Sequence, residues 1–299
     1  MPRIEVVDEW MVQRLLDSSA HQRIAVSWWL FENFKNVGVT PGFDHAYPDK
    51  NALSIEILTQ YMTQLENLEM AYFALREKVL NSTKSFTECY MGIHIKEFNP
   101  EKQRKPSPWS AHTMLEQLKG MTVERFQVEL GMPKFEELNA AQCGKPIHRS
   151  EGGQAEFEAE ILRLVDWMYA AVENKVNRPL HEAFMKSKHG MAVLAFPEFP
   201  FIHFIERVTP VGPETCMVDA FAFDNKPETL RVLVDDTRLV GGIMRDLLKL
   251  YIRRSPVHSC EGCEGASRDC EEEKAQPQEE AGSASAEASV VTSAETDTS

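Results

Sequence analysis

An α+β fold, with a predominantly helical body, a small strand-rich module and a closing helix, is predicted for this 299-residue chain by three observations. Apolar residues recur at helical spacing through most of the stretch from Val7 to His189. After Gly190 the pattern changes to short runs rich in Val, Ile and Phe, bounded by Pro and Gly, which is the signature of strands and turns. From Ser255 onward bulky apolar residues disappear, so the last 45 residues cannot offset their ordering entropy and are expected to form a disordered acidic tail.

Taken in order, Val7–Leu16 carries apolar residues at 7, 11, 12, 15 and 16, the spacing of a helix face. His21–Phe34 is apolar nearly all round and reads as a helix buried on most sides, with Trp28 and Trp29 read as core in preference to a cofactor or partner groove. Gly38, Pro41, Gly42 and Pro48 make Val37–Asn51 a loop. Ala52–Asn81 contains neither Gly nor Pro, and its apolar positions 55, 58, 62, 65, 68, 72, 75 and 79 predict one long amphipathic helix. The pattern of Phe86–Ile95 fits a strand or a helix. Three prolines make 99–108 irregular, and shorter helices follow at Ala111–Leu118 and Val123–Leu130, the second stopped by Gly131. Ala141–Gly153 reads as a linker. Gln154–Asn177 is a further helix ended before Pro179, and Leu180–His189 adds a short one.

Four strand-like runs come next: Met191–Phe196, Phe201–Val208, Cys216–Phe223 and Leu230–Val234. The closing helix is expected over Arg238–Arg253, with Asp235-Asp236-Thr237 as its N-terminal cap and Arg253-Arg254 at its negative end. Gly241-Gly242 falls inside it and suggests close helix packing. The resulting organisation is a helical region over 1–141, a helix plus strand-rich α+β module over 154–254 that can share one domain with it, and the tail 255–299.

The formal charge is −14, but 11 acidic and two basic residues of the tail carry −9 of it, leaving −5 for residues 1–254. That balance argues against a nucleic-acid partner, because phosphate binding needs clustered Lys and Arg. Glu5, Asp8 and Glu9 interrupt any leader-like apolar run, and no segment has the apolar length of a membrane span. A soluble intracellular protein is expected, in the cytoplasm or alternatively the nucleus, with reduced thiols rather than a disulfide framework.

Candidate chemistry is sparse. His258, Cys260, Cys263 and Cys270 have ligand types that suit zinc, yet the segment lacks apolar residues to pack around a metal, so incidental reduced cysteines are the stronger reading and no cofactor is expected. His203, Asp219 and Asp235 are the candidate acid–base residues of the strand-rich part, Asp219 being the one without an obvious turn or capping role. Ser107 and Ser255 precede proline beside basic clusters and are candidate phosphorylation sites. Phosphate loops, dinucleotide fingerprints, nucleophile elbows and metalloprotease helices are absent from the sequence.

These observations lean away from catalysis. They favour a regulatory or adaptor protein that makes protein–protein contacts through its helical body. The alternatives are an α+β enzyme or small-molecule sensor with a pocket in 190–254, and a transcription-associated factor using its acidic tail.

Overall fold

The computed structural model describes residues 8–37, 50–96, 105–140, 153–177, 184, 193–195, 201–212 and 215–252, which all belong to one unit, Met1–Pro256. The tail, the linker over 141–152 and most of the helix expected at Leu180–His189 lie outside the described residues. The first described segment is a helical rod. Its parts are α1 (Asp8–Leu15), a π-helical turn (Leu16–Gln22) and α2 (Arg23–Asn36), so the two helices expected from periodicity are continuous.

α3 (Lys50–Leu80) is the central element and packs against α2 and four helices that follow. It departs from the amphipathic expectation. Between the predicted stripe positions sit Ile57, Tyr61, Ala71, Phe73 and Ala74, all buried, so its middle is enclosed nearly all round. Even Ser54, Gln64 and Glu69 are inside. The charge of Glu69 is matched by Lys175 Nζ at 3.0 Å, an ion pair between helices with side-chain exposures of 0 % and 1 %.

Local signals set the shorter helices. Ser85 Oγ accepts the Glu88 N–H at 3.0 Å while the Glu88 carboxylate accepts the Ser85 N–H at 2.7 Å, and this reciprocal box starts α4 (Phe86–Gly92). It decides the ambiguous 86–95 segment as helix, with Phe86 and Cys89 turned inward. Ser110 and Thr122 cap α5 (Ala111–Leu118) and α6 (Val123–Leu130), and Gly131, at φ 64°, ends α6 in the left-handed conformation glycine adopts at little cost. α7 (Phe135–Ala140) precedes α8 (Gly153–Asn177), which supplies Lys175.

Three strands, β1 (Val193–Ala195), β2 (Phe201–Pro210) and β3 (Cys216–Asp224), form an antiparallel sheet in the order β1-β2-β3. An irregularity between Ile205 and Arg207 shifts the β2–β3 register. Ile202, Phe204 and Phe223 are buried and join the helical core.

The last predicted strand is not one. α9 (Pro227–Ile252) begins eleven residues earlier than expected and takes in Leu230–Val234. Pro227 occupies the first helical position, where its missing N–H costs nothing, and the Asp224 carboxylate accepts the Lys226 N–H at 3.1 Å just ahead of it. The Arg-Val-Leu-Val run resembles a strand, yet Leu230, Leu233, Val234, Thr237 and Val240 are buried at helical spacing. Asp235 and Asp236 therefore sit within the helix rather than capping it. Gly242 shows no close packing either: a Cβ built there meets nothing within 4 Å.

Candidate functional site

The structure does not gather the three acid–base candidates. His203 of β2 pairs with Ala222, whereas Asp219 of β3 pairs with Arg207. Side chains alternate along a strand, so Ala222 and Asp219, three residues apart on β3, point to opposite faces of the sheet. His203, on the Ala222 face, is thus separated from Asp219. Asp235 is exposed on α9 and accepts from Arg231 Nε at 2.9 Å, a pairing within one helix.

Ser107 is half-buried, and its hydroxyl accepts the Trp109 N–H at 3.3 Å in the turn that leads into α5. Ser255 and the set His258, Cys260, Cys263 and Cys270 lie outside the described residues. Among the described residues no three His, Cys, Asp or Glu side chains are placed to hold a metal ion. Cys89 is a free thiol whose pKa burial pushes up, which keeps it protonated and a packing residue.

What the fold does assemble is an aromatic surface on α2. Ser27, Leu30, Phe31 and Phe34 face the core, while Val26, Trp28 and Trp29 are 40 %, 41 % and 58 % exposed. The reason is geometric. At 100° per residue the stripe 27, 30, 31, 34 uses one side, and the other is left largely open, with Arg231 of α9 reaching it at Trp28. The helix expected to be buried all round and the helix expected to be amphipathic have exchanged roles.

Arg231 from α9 lies with its guanidinium carbon 4.3 Å from the Trp28 ring centre and 5.9 Å from that of Phe31. Asp235 thus pairs with the same Arg231 that lies over Trp28. On the other flank Lys35 Nζ stands 5.2 Å from the Phe31 ring and pairs with Glu32 at 2.8 Å. Such cation–ring contacts at the surface contribute about 0.5–1 kcal/mol each and fix the orientation of the ring. The available sequence signal was the Trp28-Trp29 doublet itself.

Comparison of the chain with protein-family models, with curated proteins and with solved structures finds no match. Among the described residues no helix is long and apolar enough to cross a membrane.

Proposed function

We propose that this chain is a non-enzymatic adaptor or regulatory protein that binds another protein through the α2 surface of its helical body. The observation that carries this reading is the exposure of Trp29, Trp28 and Val26 side by side, with Trp28 already clamped by Arg231. Trp and Arg are the residues most enriched among the energetic centres of protein interfaces, and a pre-oriented ring loses little entropy when covered. The buried free thiol of Cys89 suits a reducing compartment, the cytoplasm or the nucleus.

The test is a photo-crosslinking amino acid placed at position 29, with position 124 on the exposed first turn of α6 as the control, in chains with and without residues 255–299. A partner captured from position 29 and not from 124, and lost from the Trp28→Ala background, supports the proposal. The same faint background from both positions, with a strictly monomeric chain, rejects it. Trp29→Ser changes stability by about 0.5 kcal/mol or less because the ring is largely exposed, so lost binding reports on contact rather than unfolding.

A further inference from the structure

A second feature, independent of the α2 surface, lies between α8 and α9. It is an open cleft of about 300 Å³, at the lower end of the range for small-molecule sites. Phe157, Ile161 and Leu164 form a buried apolar floor, and Trp167, 42 % exposed, stands over it as a wall. From Phe157 to Trp167 the stripe runs ten residues along α8, about 15 Å.

The charged residues at the cleft are Glu160 and Arg163 of α8 and Asp246 and Lys249 of α9. Asp246 is already engaged, its carboxylate accepting from Arg245 Nε at 3.1 Å. Neither Arg163 nor Lys249 has an ion pair or hydrogen bond among the described residues, and Glu160 is the sole remaining carboxylate. Two unmatched cations against one carboxylate give a positive mouth over an apolar floor.

We propose that this cleft binds a medium-chain fatty-acid carboxylate, its acyl chain along the Phe157–Trp167 stripe and its head taken by Arg163 and Lys249. The charge complementarity calls for an anion, and the floor calls for an apolar chain joined to it. Other occupants fit less well. The protein's own residues 255–299 supply anions but no Leu, Ile, Phe, Met, Trp or Tyr to fill the floor. A second copy brings a net charge of −14 to meet another −14.

The experiment is calorimetric titration of the full chain with dodecanoate, dodecanol and dodecyltrimethylammonium, each kept below its micelle concentration. Dodecanoate is expected to bind saturably at one per chain, about tenfold tighter than the alcohol, as charge-assisted contacts require, and the cation not to bind. Arg163→Ala/Lys249→Ala, two exposed positions whose loss leaves the fold intact, brings dodecanoate down to the affinity of dodecanol. Trp167→Phe abolishes the fluorescence change on adding dodecanoate, which locates the ligand. No saturable dodecanoate binding, equal affinity for all three probes, preference for the cation, or unchanged dodecanoate affinity in the double variant each overturns the proposal.

Discussion

Replacing Lys175 with Met leaves the Glu69 carboxylate facing an apolar side chain in the interior. The two charged atoms stand 3.0 Å apart and are shielded from solvent, with exposures of 0 % and 1 %. At an effective dielectric constant near 20 the attraction at that distance is about 5.5 kcal/mol, and measured losses on breaking buried pairs run at about 3–5 kcal/mol. A domain of this size loses about 2–4 °C per kcal/mol, so Lys175→Met lowers the melting temperature by roughly 6–20 °C. The decisive comparison is Glu69→Leu with Lys175→Met in one chain. That variant removes the desolvation of both charges along with their attraction, so it regains most of the loss and ends within about 1 kcal/mol of the parent or above it. Urea unfolding of the parent, both single variants and the double variant closes the cycle, with a coupling of at least about 2 kcal/mol expected for residues in direct contact. A single-variant loss below about 1 kcal/mol, or a double-variant loss equal to the sum of the two single losses, refutes the reasoning.

Two further predictions concern packing and alkaline pH. Gly242→Ala stabilises the chain by about 0.5–1 kcal/mol, read as a rise in urea midpoint, because the helix gains propensity and the new methyl meets nothing within 4 Å. Tyr72 has its pKa raised by burial to about 12, a rise partly countered by Arg76, whereas the unfolded chain titrates near 10. The unfolded state therefore releases its proton first as pH rises. The stability contributed is full below pH 10 and falls away toward pH 12, by about 3 kcal/mol in all. Tyr90, raised to about 12 by burial as well, acts in the same direction, so Tyr72→Phe lessens the alkaline loss without abolishing it in a series of urea midpoints across that range.

Periodicity made the long helices legible because a stripe at 3–4 spacing has one structural meaning when Gly and Pro are absent, as in α3 and α8. It did not say which helix lies at the centre. That depends on what surrounds each helix, and α3 has neighbours on nearly every side while α2 does not. Leu230–Val234 misled because five residues rich in Val and Leu read as a short strand, and only the longer run from Leu230 to Tyr251 shows the helical period. Pro227 looked like a strand boundary when it is a helix start. The Glu69–Lys175 pair was out of reach for a different reason: 106 residues separate its partners, and an isolated Lys at the end of α8 looks like a solvated one. At the candidate site, Trp28 and Trp29 were visible as a doublet, but the stacking cation comes from another helix 203 positions away.

The π-helical turn at Leu16–Gln22 bears on how the rod meets its neighbours. A π turn holds one residue more than the α turn it replaces, so everything before it is rotated by roughly 100° relative to an unbroken helix. α1 accordingly packs against α4 and more lightly against α9, while α2 packs against α3 and α9. The turn works as a phase shifter. One continuous rod thus turns one face to α4 and another to α3 without a loop between them, and deleting a single residue from 16–22 would realign the two faces and deprive α4 of its contact with α1.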